Sequence, residues 1–552
     1  MQDRPRSLLA WRWVLLLAVT YLIGIASLAA ALRHNLGFPL DDSWIHQQIA
    51  RNLIQYHSFG FTPGITSSGS TSTLWTLILS LNYLLFPTHS PIFFPLILNS
   101  ILLILSGALL WRMAILDGLP LPCALALALL PALSGNYIWL AFLGMEHVLF
   151  VTLSLAAILL WFRSCDAPRD AAPRASLLAG LALGALCSTR PDGLALCLLL
   201  FALYKYCGRT LADVLRAAAV AVLFLLPSFL LNLKTSGSLL PLTLRGRRFL
   251  YLGSDKLHIG RAVVRSLTLE TYRKVIQHNF FHTTHAWAIV FVALAFYGCV
   301  VLLRRFPNRT AILVLWAALH YASYCFTLPS TGHGGRYQPF VLLLFPPLLA
   351  IALFNLIAHA LRLFNSRGSA LLRPLHALAF ILVAALTAAT LPRWSVALGD
   401  SIYDVNHCHR QMAYWLDAHY PPGTAIGVFD IGAIAYFSRM DVIDLGGLVD
   451  PTFYNYLRSG RVPQYLQEKG ASLVILPSDG TRVHFADRLG LQDNPAIRLQ
   501  EIHTENIDYA TWLSGNLYSQ DAYQFETLYR IVRLNSGDTP ALLSPLPTIN
   551  SR

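Results

Sequence analysis

Residues 12–32 read RWVLLLAVTYLIGIASLAAAL, and residues 33–56 continue as RHNLGFPLDDSWIHQQIARNLIQY. The first run is apolar over about 20 residues, the length at which a helix crosses a hydrocarbon core. The second turns polar at once and sets two carboxylates, Asp41 and Asp42, side by side just after the crossing. Arg4, Arg6 and Arg12 before the apolar run, and small residues at its end, are also marks of a cleaved leader. The run is longer than a leader's apolar core, so an uncleaved first span is expected.

Outward from this stretch, further apolar runs lie near 71–87, 92–112, 119–134, 137–162, 175–189, 191–206, 213–232, 286–304, 311–328, 338–361 and 373–391. With 55% hydrophobic and 12% charged residues over 552 positions, the composition excludes a chain of soluble domains. Basic residues in short loops mark the cytoplasmic side. They occur before the first run, at 163–175, at 205–216, at 304–309 and at 362–373. The expected arrangement is a multi-pass protein of a bacterial inner membrane, with a cytoplasmic N-terminus. Loops 33–70 and 233–285, and everything after residue 392, then lie outside.

Parity adds a constraint. From the outer loop at 33–70 to the inner loop at 163 the chain needs an odd number of crossings, yet four apolar runs lie between. One of them does not span, either 119–134, which carries Pro120, Pro122 and Pro131, or the polar-headed 71–87. About eleven crossings result.

Residues 1–392, the expected membrane module, hold 29 Lys and Arg against 11 Asp and Glu, while residues 393–552 hold 12 against 17. The basic excess therefore sits in the apolar part, beside membrane lipids, and no nucleic-acid partner is expected. From 393 onward short β-like runs (AIGVFD, DVIDL, SLVILP, YRIVRL) follow helix-like sequence and turn residues, the pattern of an extracytoplasmic α/β domain of its own. The eight cysteines include no CxxC pair, and a metal site from His407, Cys408 and His409 is disfavoured because adjacent side chains do not converge on one ion. There is no Walker loop and no dinucleotide fingerprint.

The candidate chemistry lies at the outer ends of the apolar runs. One of the two aspartates would suffice to cap the helix that starts near Ser43, so the second points to function. Glu146 in GMEH, Arg190 and Asp192 in TRPDG, and Arg336 in GHGGRYQPF, followed by Tyr337 and Gln338, interrupt strongly apolar sequence. Charge at such depth is costly and faces a cavity or a partner. The plain alternative, an Arg190 pair with Asp192 or Glu146 that only pins helices, weighs almost equally for each residue alone. The shared placement of Asp41, Asp42, Arg190, Asp192 and Arg336 on one side outlines a single cavity at the outer leaflet, which Glu146 joins if its helix runs inward.

Arginine grips phosphate with a planar fork, and a carboxylate can take a proton from a hydroxyl. Nucleotide sugars are not normally found outside the cytoplasm, so a sugar on a polyprenyl phosphate is the donor this cavity suits. The basic loop 233–285, with Arg245, Arg247 and Arg248, fits the same anionic ligand. Asp430 and Asp444 end β-like runs, where turn formation is the stronger reading and contact with an acceptor glycan the other.

The sequence resembles the polytopic C-type glycosyltransferases, among them bacterial arabinofuranosyltransferase-like and mannosyltransferase-like members. The resemblance is carried by DDSWIHQQIARNLIQYHSFGFTPG with GSTSTLW, by GMEH, TRPDG, TSGSLLPLT and GGRYQPF, and by VFDIGAIAYFS and VIDLGGLVD, and so covers nearly the whole chain. Thr73 and Leu242 depart from the pattern where Pro and Asn are common. The resemblance implies an inverting transferase that uses a decaprenyl- or undecaprenyl-phosphate sugar and a glycan or lipid acceptor, with a first-loop Asp as general base. That role falls to Asp41, with Asp42 assisting or holding a divalent cation such as Mg or Mn, or to the two reversed. Arg190, Arg245, Arg247, Arg248 and Arg336 are then donor-phosphate candidates, and Glu146, Asp192, Tyr337 and Gln338 substrate-binding ones. A flippase of lipid-linked glycans and a non-catalytic assembly protein are the competing classes. The outer placement of the charges and the lack of a repeat speak against the first, and the acidic pair against the second.

Overall fold

Long apolar runs become helices because a chain in lipid must satisfy its backbone polar groups internally. In the computed structural model, which describes residues 5–67, 69–204, 208, 210–239, 261–281, 284–306, 308–328, 330–363, 369–478, 483, 485–492, 494–506 and 525–533, eight helices are long and apolar enough to cross a membrane. The described count is nine if the pair Leu121–Leu133 and Gly135–Leu143, bent by 60°, makes one crossing. The chain is thus a polytopic α-helical membrane protein. Eleven crossings would also need Ala172–Thr189, of 18 residues, and Gly193–Ala202, of 10.

The bend has a local cause. Pro131 has no N–H to continue the ladder, Ser134 is extended, and the Gly135 amide donates to Thr390 Oγ1 at 2.9 Å instead of to a helical carbonyl. Gly135 also lets Trp394 lie against the break, since a Cβ there would fall 2.6 Å from the indole. The break thereby seats the helix Leu391–Asp404, which leads into the C-terminal part.

Contacts at the two ends of the bundle decide which of the two candidate runs fails to cross. Asp117, after Phe93–Leu116, and Asp166, ending His147–Asp166, both meet Arg309, the first residue of Arg309–Thr327. At the opposite end Gly144 accepts from Trp75 Nε1 at 3.0 Å. The bent pair therefore runs from one end to the other. Thr73–Leu85 does not: Trp75 near its start bonds Gly144, while Tyr83 near its end bonds Gln47 at 2.7 Å and Tyr436 at 3.1 Å. Its 13 residues span about 20 Å, short of a 30 Å core, and it stays at the Asp42 end.

The C-terminal part is an α/β unit. Strands β1 (Ala425–Val428), β2 (Asp441–Asp444), β3 (Leu473–Ser478), β4 (Ile497–Asn506) and β5 (Phe525–Arg533) form one sheet in the order β2-β1-β3-β5-β4. β2, β1 and β3 are parallel, and β5 and β4 close the sheet antiparallel. β3 is buried along its whole length, which its unbroken LVIL run encodes. The helix Ile431–Phe437, between β1 and β2, docks on the first-loop helix Asp42–Tyr56: Trp44 packs on Tyr436 and Phe437 with ring centroids 4.9 and 4.6 Å apart.

Candidate active site

Asp41 and Asp42 sit where the first loop enters the helix Asp42–Tyr56. The buried Ser43 hydroxyl donates to the Leu143 carbonyl at 2.5 Å and fixes the helix start against the bent pair. Successive residues there point apart, and the two carboxylates part company.

Asp41 turns to the C-terminal unit and accepts the backbone N–H groups of Gly432 at 2.6 Å and Ala433 at 2.7 Å. It caps the helix Ile431–Phe437, whose own preceding residue, Asp430, makes no side-chain capping bond. Gly432 is required, because a Cβ there would meet the Asp41 carbonyl at 2.1 Å. Burial raises the Asp41 pKa, opposed by His409 and by the two amides.

Asp42 turns the other way. Its Oδ2 accepts from Arg336 Nη2 at 2.5 Å, and Arg336, almost fully buried, also reaches Tyr337 Oη at 3.3 Å. Arg336 leaves a turn in which Gly332, Gly334 and Gly335 all have positive φ. The GHGG sequence is what permits that tight approach to the pocket.

Arg190 forms a second cluster. Its Nη1 donates to Glu146 at 2.9 Å, its Nη2 to Asp192 at 3.1 Å and to Tyr324 at 2.6 Å, while Tyr324 Oη donates to Asp192 at 3.2 Å. TRPDG explains this locally: Arg190 ends the helix Ala172–Thr189 in extended conformation, the proline follows, and Asp192 opens the next helix. Glu146 is fully buried, and its Oε2, 3.6 Å from His46, has no hydrogen-bond partner among the described residues. Burial lowers the His46 pKa below its usual value, so the ring is neutral at physiological pH.

The two clusters line one cavity of about 380 Å³, with mostly apolar walls and with Asp42, Glu146, Asp192, Arg190, Arg336 and Tyr337 on its surface. A smaller cavity of about 90 Å³ shares Asp42, Arg336 and Leu448 with the large one and reaches Asp430 and Gly446 of the C-terminal unit.

The candidates read from sequence therefore separate. Asp42, Glu146, Arg190, Asp192, Arg336 and Tyr337 converge on the large cavity. Asp41 and Asp430 reach only the small one. Asp444 is buried and accepts the amides of Gly446, Leu448 and Val449, so it builds the turn that carries Leu448 to both cavities. Gln338 is buried away from both, with neither amide atom hydrogen-bonded among the described residues. Arg245, Arg247 and Arg248 lie outside the described residues. Among the described residues no group of three or more His, Cys, Asp or Glu has the geometry to hold a metal.

The sequence reading missed His46 and the pair His320 and Tyr324. Their signal was spacing: His46 is four residues after Asp42, and His320 and Tyr324 are four apart in an otherwise apolar helix, so each pair shares a face.

Comparisons with known proteins bear on the fold. ArnT from Cupriavidus metallidurans in the apo state is similar over 94% of this chain and 98% of its own, with 14% identity and a TM-score of 0.55. The same protein bound to undecaprenyl phosphate gives 94% and 97% coverage, 14% identity and a TM-score of 0.53. The oligosaccharyltransferase of Archaeoglobus fulgidus in the apo form covers 88% of this chain and 73% of its own, with 13% identity and a TM-score of 0.52. The fold is that of the C-type glycosyltransferases. The small cavity lies where the bundle meets the C-terminal unit. A family described as a domain of unknown function, DUF8728, matches residues 400–538, and no curated protein matches the sequence.

Proposed function

We propose that the chain is a membrane glycosyltransferase. It moves a sugar from a polyprenyl-phosphate donor to a cell-envelope acceptor, with inversion, at the outer face of a bacterial inner membrane. The observation that carries this reading is the pairing of Asp42 with Arg336 on the wall of an apolar cavity at one end of the bundle. The acceptor hydroxyl oxygen bonds to the anomeric carbon, the bond from that carbon to the phosphate oxygen breaks, polyprenyl phosphate leaves, and the hydroxyl proton passes to Asp42. Arg336, bonded to Asp42 Oδ2, holds the carboxylate in place at the cavity wall. Asp41, engaged by two amides, is assigned to holding the first loop, so the base is Asp42.

Arg336 and Arg190 face the phosphate. The large cavity holds three carboxylates against two guanidinium groups, so those residues alone do not attract an anion. Arg245, Arg247 and Arg248 of the basic outer loop are assigned the missing charge. Glu146 Oε2, buried and without a hydrogen-bond partner among the described residues, suits a donor-sugar hydroxyl. Asp192 holds Arg190, and Tyr337 offers its ring. ArnT from Cupriavidus metallidurans, of similar fold, has been seen bound to undecaprenyl phosphate, and the archaeal oligosaccharyltransferase AglB in complex with an inhibitory peptide and a dolichol-phosphate.

The test is transfer from radiolabelled polyprenyl-phosphate sugars to envelope acceptors by purified protein, comparing wild type with Asp42→Asn. Transfer by the wild type that the variant loses supports the reading. Equal transfer removes Asp42 as base, and lipid translocation without transfer selects a flippase.

A further inference from the structure

Two cysteines flank the turn that carries Arg190 and Asp192 to the large cavity. Cys187 lies near the end of the helix Ala172–Thr189 and Cys197 in the middle of Gly193–Ala202, and their sulfurs meet at 3.3 Å. Both are free thiols, and both are buried. Gly193 permits the approach: a Cβ there would fall 2.9 Å from the Leu186 side chain and 3.3 Å from the Cys187 backbone. Cys197 stands four residues after Gly193, one helical turn along the same face, and so meets Cys187 directly. A disulfide holds its sulfurs about 2.0 Å apart, so closure asks for a further approach of about 1.3 Å.

Cys187 also lines a cavity of about 30 Å³ beside Thr71, Ser188, Ser228 and Asn232, whereas Cys197 lines neither this cavity nor the large one. Roughly 10–15 Å³ of such space holds one water, so hydrogen peroxide fits, with polar partners around it. The cavity shares Thr71, Pro191 and Leu194 with the large one.

We propose that Cys187 and Cys197 form a redox site, closed to a disulfide by hydrogen peroxide, and that closure shifts Arg190 at the wall of the large cavity. The Cys187 sulfur attacks one peroxide oxygen, the O–O bond breaks, and Cys187 becomes a sulfenic acid as one water leaves. The Cys197 sulfur then attacks the Cys187 sulfur, the S–O bond breaks, and a second water leaves with the Cys197 proton. Two thiols and one peroxide thus give one disulfide and two waters, the sulfurs losing two electrons to the peroxide. Burial slows the first step, since the thiolate is the nucleophile, and the 3.3 Å contact speeds the second. Arg190, three residues after Cys187, is tied outside this hairpin to Glu146 at 2.9 Å and to Tyr324 at 2.6 Å. Drawing the two helices together moves their turn while those partners stay, so oxidation loosens the grip of Arg190. The consequence for phosphate rests on the transferase reading, and the bond itself does not.

The experiment treats the full chain in lipid nanodiscs with hydrogen peroxide over hours, and reads peptide masses and undecaprenyl-phosphate affinity. Wild type is expected to yield a peptide pair joined through Cys187 and Cys197, with affinity lowered roughly tenfold, the worth of one charged hydrogen bond, and restored by dithiothreitol. Cys197→Ser is expected to keep a sulfenic acid on Cys187, trapped by dimedone. Cys187→Ser is expected to form none at Cys197 and to keep its affinity. No joined pair in wild type, dimedone on Cys197 rather than Cys187, or a joined pair with affinity unchanged or raised would overturn the proposal. If the reduced protein binds no undecaprenyl phosphate, the transferase reading fails, and the redox site stands or falls on the joined pair and the order of labelling.

Discussion

The bundle carries the same device at both ends, one arginine held by two carboxylates, and puts it to different uses. At one end Arg309 meets Asp117 at 3.1 Å and Asp166 at 2.6 Å, and Asp117, fully buried, also accepts the Thr310 amide and hydroxyl. Neither of the two cavities at the Asp42 end touches that cluster. At the other end Arg190 meets Glu146 at 2.9 Å and Asp192 at 3.1 Å on the wall of a 380 Å³ cavity, and one Glu146 oxygen has no hydrogen-bond partner among the described residues. A buried ion pair alone is thus no sign of function, since it pins helices as readily as it binds a ligand. The cavity beside Arg190 makes the difference.

The largest effect that would sharpen this contrast is at Asp42. Asp42→Asn should lower sugar transfer by roughly 10²–10⁴-fold, the usual worth of a general base, measured per folded molecule because the buried Arg336 also loses its carboxylate partner. Next, Arg190→Lys keeps the charge and loses the fork. It should cut transfer about a hundredfold by weakening phosphate contact, seen in initial rates as a higher KM for the lipid donor.

Its counterpart at the other end, Arg309→Met, should leave the rate per folded molecule unchanged and lower stability by about 3 kcal/mol, the cost of stranding a buried carboxylate, as read from melting in detergent. A fall in rate per folded molecule for Arg309→Met would break the comparison. Asp41→Asn should act most mildly. It loses one charge-assisted bond to the Gly432 and Ala433 amides, worth about 1–2 kcal/mol, and hydrogen exchange should rise locally over residues 431–437 with only a small drop in transfer.

Most of the bundle was legible because crossing a bilayer demands about 20 apolar residues, a signal that needs no partner to read. Thr73–Leu85 shows where that signal ends: parity left it as one of two candidates for the run that does not cross, and its 13 residues, with Trp75 on Gly144 and Tyr83 on Gln47 and Tyr436, show that it turns back. The site was legible as a set. Arg190, Asp192, Glu146 and Arg336 stand out because charge is rare in such sequence. The split between Asp41 and Asp42 was hidden, since it depends on amides some 390 residues downstream. Tyr324 was hidden by its apolar neighbours, although its spacing from His320 carried the hint. Gln338 joined the candidates through adjacency to Arg336, but one step along the turn carries it into the bundle, away from the cavity.

The most direct measurement is a cryo-EM structure of the full chain in nanodiscs with undecaprenyl phosphate. The account predicts phosphate density in the large cavity, within hydrogen-bonding reach of Arg336 or Arg190 and beside Asp42, with the lipid chain leaving between the helices. Density at the Arg309 end, or an empty large cavity at saturating lipid, would contradict it.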